Sequence, residues 1–446
     1  MHALITRLRR LLATEHLRTL LRGAVLVMAV RVLGAALAYT SHVLLARWMG
    51  VFQFGLFIYA WIWVIVPAYL LPLGMSAAVV RFVPEYLTRA APRRLRGVIA
   101  FSRRLTLASG LAYALLGTAV LRLLAPHLPA GHAPPLLLAV WCTPLFALML
   151  LHEGLARSFD RVVLAFSPQY LWRPLGLLLL GGLLYSRGWP LDATLAMQLS
   201  ILVCGVVLLG QMALFRHGLP ATMRRARPVW QGRHWLRIAF PMLLVQGFDL
   251  LFLNTDLLVL GVFASPDQVG IYNAAVRTAG LISFVHYAVT SLAAQRFSAL
   301  ATRRDRARIE RLLRTSVHLM FWPALAIAAA LAMFGPTLLA LFGPEFRAGY
   351  PTLLILIAGH LANAAVGPLS VLLNMTGHQA HNARIMGATA LVNLALNLLL
   401  IPLWGIRGAA LATVTAMLLT AALLARGVRR RFGFLALPLP RPAMHD

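Results

Sequence analysis

Long apolar segments alternate with short polar gaps along this chain, and almost every second gap is rich in arginine. The rich gaps include Arg81 to Arg104, Arg216 to Arg237 and Arg296 to Arg314, whereas the gaps at Arg122 and Arg187 hold one arginine each. Short translocated loops of membrane proteins are depleted of lysine and arginine, so the rich gaps are predicted to be cytoplasmic. The pattern therefore predicts a polytopic membrane protein with both termini in the cytoplasm.

The composition agrees with this prediction and excludes an ordinary soluble domain. The chain of 446 residues is 60% hydrophobic and 12% charged, whereas soluble domains are about half apolar and about a quarter charged. The formal net charge is +29, but the arginines lie beside apolar segments and are not interleaved with aromatic residues on one soluble face. Orientation signals and attraction to anionic membrane lipids account for them, so no nucleic acid is predicted as a partner.

A helical span needs about 20 apolar residues, and twelve segments meet this requirement. Their predicted limits are 23–46, 54–79, 104–124, 134–154, 163–186, 193–215, 238–262, 269–294, 315–335, 350–373, 384–402 and 407–426. The gap 376–384 fits least well, because it should be cytoplasmic yet contains only Arg384 with His378 and His381.

The longest polar stretch divides the spans into two sets of six. Residues 216–237, with Pro220 and Pro228, are predicted to form a cytoplasmic linker between lobes at 23–215 and 238–426. Residues 1–22 carry too many arginines for a cleavable signal peptide and are predicted to form a cytoplasmic amphipathic arm. Residues 427–446 are a predicted cytoplasmic tail.

The two halves resemble each other when residue n is compared with residue n+215. Identical pairs at this offset are Leu45 and Leu260, Gly55 and Gly270, Ala60 and Ala275, Ser76 and Ser291, Ala78 and Ala293, Arg81 and Arg296, and Phe82 and Phe297. The offset pairs spans of the same direction, so it predicts a parallel repeat about a pseudo-two-fold axis along the membrane normal. Such repeats place a substrate site between the halves, near the membrane midplane.

The least apolar face of span 1 has a counterpart in span 7. Arg31, Gly34, Ala38 and Ser41 have helical spacing and correspond to Gln246, Asp249, Leu253 and Asp256. Polar residues inside spans usually face the bundle interior or a water-filled cavity. Both faces are therefore predicted to line the substrate path.

Two arginines are the leading candidates for that path. Arg31 lies about nine residues beyond the last arginine of the arm, or roughly 13 Å along a helix. Arg277 lies at a similar depth below the outer end of span 8, on a face that includes Asn273. Both are predicted to line a water-filled cavity and to bind an anion such as a phosphate by bidentate hydrogen bonds. The alternative is that each pairs with Asp249 or Asp256, or extends to an interface.

Arg173, which follows Gln169 and Tyr170 in span 5, is a weaker candidate because it is nearer a cytoplasmic end. Asp249 and Asp256 have three interpretations: counter-ions for the arginines, a cation or proton coupling site, or outer-end residues in water. Asp256 is predicted to be solvated or to cap a helix, and Asp249 lies deeper in its span.

Other polar residues of the spans are predicted to be structural. His360, Asn363 and Gly367 share one helical face, and Asn393 with Asn397 share another, which favours hydrogen bonds between helices. The histidines without a partner at ligand spacing are His42, His152 and His286. Two cysteines, Cys142 and Cys204, lie in apolar segments and are predicted to be core thiols. Trp61, Trp63 and Tyr69 could stack on sugar rings, but packing is the favoured interpretation.

Sequence signals for catalysis or for a cofactor are absent. The chain has no Walker A glycine loop, no HExxH motif, no nucleophile elbow and no carboxylate pair in a gap long enough to contain a site. No enzyme activity, metal or cofactor is predicted.

Three stretches carry a resemblance to a known family. Spans 7 and 8 contain Val269-Gly270-Ile271-Tyr272 after Asp256, and spans 11 and 12 contain Asn393, Asn397, Pro402, Gly405 and Gly408-Ala409-Ala410. Spans 1 and 2 add Arg47-Trp48-Met49-Gly50 and Gly55-Leu56-Phe57. Together they resemble the polysaccharide transport family of oligosaccharide and O-antigen flippases, within the multidrug, oligosaccharidyl-lipid and polysaccharide exporter superfamily. The resemblance covers essentially the whole chain.

The resemblance implies an all-α integral membrane protein of about 12 spans in two six-helix lobes around a central cavity, like the multidrug exporters. It implies a flippase that moves undecaprenyl-pyrophosphate-linked sugar units across the bacterial inner membrane by alternating access. Related peptidoglycan-precursor flippases use cavity arginines in their first and eighth spans. Arg31 and Arg277 match them by position and charge, although the flanking residues differ.

Two other function classes remain open at this point. An ion-coupled multidrug or organic cation antiporter of the same superfamily would need intramembrane carboxylates, and span 1 has no deep acid although Asp249 is available. A membrane glycosyltransferase or polymerase would need an acid in a long outer loop, and the outer gaps are short. For a flippase the expected partners are the lipid-linked glycan, membrane lipids, a polysaccharide polymerase and glycosyltransferases.

Overall fold

The computed structural model describes residues 15–219, 226–303, 305–434 and 438, and it describes side chains from Val30 onward except those of Val245 and Asp249. Most of the predicted arm, the centre of the linker and most of the tail lie outside the described residues. The regular structure of the described residues is helical throughout. This confirms the predicted all-α class.

The first half begins with one long helix, Glu15–Leu70, which breaks at Gly50 into α1 (15–49) and α2 (51–70). The next helices are α3 (Met75–Thr88), α4 (Pro92–Leu124) and α5 (Ala133–Ser158). Span 5 consists of α6 (Val162–Ser167), a π-helical turn at Pro168–Trp172 and α7 (Arg173–Ser186). Helix α8 (Ala193–His217) completes the half.

The second half begins with α9 (Gly232–Phe263) and α10 (Pro266–Ala279). A 3-10 turn, Gly280–Ile282, joins α10 to α11 (Ser283–Thr302). Helices α12 (Arg306–Ala340), α13 (Tyr350–Val366) and α14 (Leu369–Met375) follow. The last long helix, Gln379–Phe432, breaks at Gly405 into α15 (379–404) and α16 (406–432).

The two long helices break at glycine because the backbone there leaves the helical region. Gly50 has φ 77° and ψ 167°, and Gly405 has φ 54° and ψ −130°. Only glycine adopts positive φ without a steric cost from its side chain. The break at Gly50 separates predicted spans 1 and 2, and the break at Gly405 separates spans 11 and 12. The two long helices therefore account for four predicted spans.

Most of every predicted span is helical, but span 2 crosses a turn at 71–74 and span 10 crosses the break at Gly367 and Pro368. By length and composition alone, seven helices of the described chain could cross a membrane, or eight with the pair Gly232–Phe248 and Leu250–Phe263, which meets at 51°. Two of the seven contain two predicted spans each, and spans 5 and 8 are interrupted by the π turn and the 3-10 turn. These breaks therefore account for the difference between the eight candidate helices and the twelve predicted spans.

The bounds of the helices confirm the repeat. At the offset of 215, α4 corresponds to 307–339, and the observed α12 is Arg306–Ala340. Helix α8 corresponds to 408–432, and the observed α16 ends at Phe432. The break at Gly50 corresponds to Ser265, which caps the start of α10. Equivalent segments thus adopt the same secondary structure although few of their residues are identical.

The chain packs into two compact units. The first contains the described residues up to Trp48 together with Trp63–Leu244, and the second contains Met49–Ile62 together with the described residues from Val245 onward. The predicted limits of the lobes, 23–215 and 238–426, follow the spans and stay a prediction.

Within the second unit, α2 and α10 cross at two glycines. A Cβ atom on Gly55 would overlap the carbonyl oxygen of Pro266, and a Cβ on Gly270 would lie 3.2 Å from the Cα of Gly55. Small residues let helix backbones approach closely in membranes, where apolar lipid offers little hydrophobic driving force for helix association. The two glycines are equivalent positions of the repeat.

We expect Gly55→Ala to destabilise the protein by roughly 1–3 kcal/mol, because the added methyl overlaps backbone that cannot move aside. Gly205→Ala is the matched control, since a Cβ at that position would have no other atom within 4 Å and alanine favours helix over glycine. Thermal unfolding of the purified protein in detergent should show a lower midpoint for the first variant alone. Equal midpoints in both variants would contradict the close crossing.

Candidate functional site

The π-helical turn of span 5 packs against α1 close to Arg31. A Cβ on Gly34 would lie 2.7 Å from the Cβ of Tyr170, so the missing side chain lets the two segments touch. One turn before Gly34, the Cζ of Arg31 lies 5.3 Å from the centroid of the Phe166 ring. This contact is within the range of a cation–π interaction. Single π turns inside α-helices frequently occur at functional sites.

Neighbouring apolar contacts fix the direction in which Arg31 points. Val30 is 6% exposed and packs in a small core with Ala156, Ala165 and Phe166. Because Val30 is held inside, the adjacent side chain is turned outward, and Arg31 is exposed. The predicted polar face of span 1 is therefore divided: Gly34 and Ser41 are buried, and Arg31 is accessible at one end.

A carboxylate that sequence reasoning missed lies beside Arg31. Glu153 on α5 is close enough for the charges of Arg157 and Arg31 to act on its carboxylate. Its Oε1 lies 3.9 Å from the Nε of Arg157, and the Glu153 side chain is 16% exposed against 39% for Arg157. Arg157 is thus the ion-pair partner of Glu153, Arg31 acts on it electrostatically, and the two arginines with one acid leave a net positive charge in this part of the unit.

Tyr69 and Gln169 extend this group of polar side chains. Tyr69 has Gln169 as a neighbour and lies within electrostatic reach of Glu153 and Arg157. The Oε1 of Gln169 is buried and accepts no hydrogen bond within the described chain. We call Arg31, Tyr69, Glu153, Arg157 and Gln169 the Arg31 cluster. It joins α1, α2, α5 and the π turn, and it contains hydrogen-bond donors and acceptors as well as charge.

Arg173 lies elsewhere in the first unit. Its Cζ is 5.9 Å from the centroid of the Phe146 ring. The thiols of Cys142 and Cys204 are its neighbours, and both cysteines are free and buried. The prediction for Arg173 stays a prediction, and the two cysteines lie in the core as predicted.

In the second unit, the exposure of Asp256 differs from the predicted one. Asp256 was expected to be solvated or capping, but it is 6% exposed within α9. The hydroxyl of Tyr272 on α10 donates to its Oδ2 at 2.6 Å, and the backbone nitrogen of Leu257 lies 2.8 Å from its Oδ1. The prediction was wrong because α10 folds back on α9 and covers the carboxylate, which the sequence position alone does not reveal.

Arg277 lies one and a half turns beyond Tyr272 on α10. It is exposed, and its charge acts on the Asp256 carboxylate. We call Asp256, Tyr272 and Arg277 the Asp256 cluster. Asn273, predicted to share the face of Arg277, is 1% exposed and lies in the core of the unit.

Two further candidates come from the polar face of span 7. Gln246 is half-buried, and the side chain of Asp249 lies outside the described residues. Leu253 of the same face is 69% exposed. The predictions for Gln246 and Asp249 stay predictions.

The remaining polar residues link helices within their units. The Nδ2 of Asn393 donates to the carbonyl of Phe252 at 3.3 Å, and the Nδ2 of Asn397 donates to Asn393. His360 Nδ1 lies 3.2 Å from the hydroxyl of Ser283. The contacts of Asn393 and His360 join different helices as predicted, whereas Asn397 bonds within its own helix. No three His, Cys, Asp or Glu side chains among the described residues are grouped to hold a metal ion.

Sequence reasoning missed Glu153, Tyr69 and Tyr272 as parts of the two clusters. Glu153 had one available signal, because it stands four residues before Arg157 near the end of an apolar span, where an acid is rare. The two tyrosines gave no such signal, since tyrosine is common in membrane spans as a packing or interface residue.

The contact between Asp256 and Tyr272 should be measurable as a coupling energy. We expect Asp256→Ala and Tyr272→Phe to be non-additive by about 0.5–3 kcal/mol, because each removes the same hydrogen bond. Asp256→Ala with Tyr350→Phe is the control, since the Tyr350 hydroxyl donates instead to the carbonyl of Ala332, and these effects should add within about 0.5 kcal/mol. Unfolding of the variants in detergent gives both values. Additivity in both cycles would show that the first hydrogen bond does not form.

The fold is similar to those of two solved transporters and one solved lipid flippase. A multidrug resistance MATE family transporter of the MOP superfamily, in an inward-facing conformation, matches with a TM-score of 0.70 and 15% identity over 91% of this chain and 94% of its own. The lipid II flippase MurJ, in an inward closed conformation, matches with a TM-score of 0.70 and 15% identity over 91% and 87%. A MOP superfamily transporter from Pyrococcus furiosus matches with a TM-score of 0.62 and 15% identity over 92% and 95%.

These similarities establish the fold, a multi-pass membrane fold found in both a drug transporter and a lipid flippase. Among curated proteins, none matches this chain by sequence. The model of one protein family does match, over residues 20–294, and its description is polysaccharide biosynthesis protein. Since this match spans more than half of the 446 residues, the chain belongs to the polysaccharide biosynthesis protein family.

Proposed function

We propose that this protein is a flippase that moves undecaprenyl-pyrophosphate-linked oligosaccharide units across the bacterial cytoplasmic membrane. Its family supports a role in polysaccharide biosynthesis. Its fold is shared with a lipid II flippase, and a lipid-linked glycan is a substrate of the same general chemistry. The units it moves would then serve the assembly of a cell-surface polysaccharide such as lipopolysaccharide.

The observation that carries this proposal is an exposed arginine inside the first span. Arg31 is accessible while Val30 beside it is buried, and its guanidinium rests against the Phe166 ring. An unpaired charge at the bilayer centre is costly, so an accessible arginine there needs water or an anion. A pyrophosphate group provides two phosphates that a guanidinium can bind through bidentate, charge-assisted hydrogen bonds.

Glu153 sets how strongly the Arg31 cluster attracts an anion. With Arg31 and Arg157 acting on one carboxylate, part of the positive charge is offset before substrate arrives. The nearby Glu153 carboxylate would weaken the electrostatic attraction of Arg31 for a pyrophosphate and so ease release of the headgroup. A site of this kind binds the headgroup without holding it permanently, as transport requires.

The second unit offers a similar combination in the Asp256 cluster. Arg277 is exposed, and Asp256, held by Tyr272, offsets part of its charge. In this proposal Arg277 is a second candidate ligand for the headgroup, because pairing with arginine lowers the cost of moving a charged group through hydrocarbon. The polyprenyl tail stays in lipid during the crossing. Asn273, Gln246, Asp249 and Arg173 stay secondary candidates.

The setting of the protein follows from its charge distribution. The arginine-rich gaps place both termini in the cytoplasm, so glycan units would be received from glycosyltransferases on that side. The units would be delivered to a polysaccharide polymerase outside. Protein partners of these two kinds are part of the proposal.

Headgroup translocation in proteoliposomes containing undecaprenyl-pyrophosphate-linked glycan tests the proposal. We expect Arg31→Ala and Arg277→Ala each to lower the initial rate about tenfold or more, since a hydrogen bond to a charged group contributes about 1.5–3 kcal/mol and 1.4 kcal/mol is tenfold. Arg31→Lys should be intermediate, because lysine keeps the charge but not the bidentate geometry.

The matched control is Arg311→Ala, which removes an exposed arginine from the first turns of α12 and should leave the rate unchanged. All variants are compared at equal amounts of folded, reconstituted protein. Wild-type rates in both alanine variants would eliminate the two arginines as headgroup ligands. No translocation by the wild type would refute the flippase assignment itself.

An ion-coupled multidrug or organic cation antiporter is the second candidate function, and the buried Asp256 favours it. A carboxylate that is 6% exposed inside a span can exchange a proton for a cation. This function predicts that a pH gradient drives uptake of a fluorescent organic cation into proteoliposomes and that Asp256→Asn abolishes it. Uptake that is equal in wild type and Asp256→Asn would exclude Asp256 as the coupling site.

A further inference from the structure

A pocket of about 550 Å³ lies within the second unit, between the start of α15 and the end of α16. The residues that line it are His381, Ile385, Leu423, Arg426, Gly427, Arg430 and Arg431. We call it the His381 pocket. It is separate from the Asp256 cluster, none of whose residues lines it.

Each of the two helices presents residues to the pocket at the spacing of one helix face. His381 and Ile385 are four residues apart on α15, and Leu423, Arg426 and Arg430 follow one face of α16 at intervals of three and four. Gly427 makes the space: a Cβ there would lie 2.8 Å from the Nε2 of His381 and 3.9 Å from an Nη of Arg431. Any larger residue at 427 would push the imidazole out of its place.

Among the described residues, no carboxylate forms an ion pair with the arginines of the pocket. The ion pairs found in the described part of the chain join Arg89, Arg157, Arg308 and Arg314 to acids, so none uses an arginine of the pocket. Arg384 and His378 also act electrostatically on His381. Some of this charge complements the carboxyl-terminal end of the α16 dipole and retains the chain end in the cytoplasm.

His381 is not explained by those two roles. Its Nε2 is buried and has no hydrogen-bond partner among the described residues. A buried polar atom without a partner costs free energy unless a ligand or water satisfies it. One oxygen-rich anion could therefore satisfy both the arginines and this nitrogen.

The wall of the pocket shows that the anion carries a hydrophobic part. Ile385 and Leu423 line it, and Ile385 belongs to a core cluster with Leu424 and Val428. The volume is also far larger than a single phosphate, since a water molecule takes about 30 Å³ of liquid. Basic pockets between membrane helices on the cytoplasmic side are suited to anionic lipid headgroups.

We propose that the His381 pocket binds the phosphate headgroup of an anionic phospholipid from the cytoplasmic leaflet. Arg426, Arg430 and Arg431 donate charge-assisted hydrogen bonds to the phosphate oxygens, and His381 Nε2 provides a further polar contact. The first part of the acyl chains lies along Ile385 and Leu423. The lipid thereby joins α15 to α16 at the end of the chain.

Lipid titration of the full-length protein in neutral detergent, followed by native mass spectrometry, tests this proposal. We expect phosphatidylglycerol to bind more tightly than phosphatidylcholine to the wild type. Arg426→Gln with Arg430→Gln should weaken phosphatidylglycerol binding roughly 30-fold, at about 1 kcal/mol for each arginine near an anionic lipid. The matched double variant Arg306→Gln with Arg311→Gln removes two exposed charges from α12 in the same unit and should change the affinity less than about twofold.

Two further measurements separate the sources of phosphate and guard against misfolding. Inorganic phosphate and glycerol phosphate, added in millimolar excess, should not displace the lipid; displacement by either would mean a site for free phosphate and overturn the lipid assignment. His381→Ala, which keeps all the arginines, should weaken binding several-fold in protein that elutes as a single species in size-exclusion chromatography. Equal affinities in the wild type and the Arg426/Arg430 variant, or no preference for phosphatidylglycerol, would overturn the proposal.

Discussion

A bilayer cannot hydrogen-bond the backbone, so the chain must satisfy each of its peptide groups internally where it crosses hydrocarbon. The described chain is helical for this reason, and its helices are interrupted at only a few positions. The two longest helices break at Gly50 and Gly405, where the backbone adopts positive φ. Span 5 widens into a π turn and span 8 tightens into a 3-10 turn without losing helical pairing. Irregular backbone inside spans is therefore restricted to a few positions, and one of them lies beside Arg31.

The same solvent makes polar side chains within spans expensive, and the two clusters deal with that cost in different ways. Asp256 is buried and held by Tyr272, with the charge of Arg277 close by. In the Arg31 cluster Glu153 pairs with Arg157, and Arg31 is exposed with its charge acting on the same carboxylate. Both exposed arginines are therefore open to a substrate headgroup in the proposed mechanism.

Positive charge serves three purposes in this chain. Most arginines lie in the gaps between spans, where they set the orientation of the protein. Arg31 and Arg277 lie within spans and are proposed to bind substrate. The arginines of α16 line a pocket with an apolar wall. This combination suits the binding of a lipid headgroup, whereas an orientation signal alone would need only the charge. Residue type does not distinguish these uses, because all 41 basic residues are arginine; only their surroundings do.

The sequence by itself determined the membrane class, the helices and the parallel repeat, because hydropathy, charge asymmetry and an offset of 215 act locally along the chain. It also selected Arg31 and Arg277, since an arginine inside an apolar segment is conspicuous. The sequence could not show which side chains contact these two arginines. The burial of Asp256 under Tyr272, the ion pair of Glu153 with Arg157 and the contact of Arg31 with the Phe166 ring depend on how helices pack. Only the tertiary structure fixes these contacts, because in lipid the packing is set by small residues such as Gly34 and Gly55, whose partners lie far away in the chain.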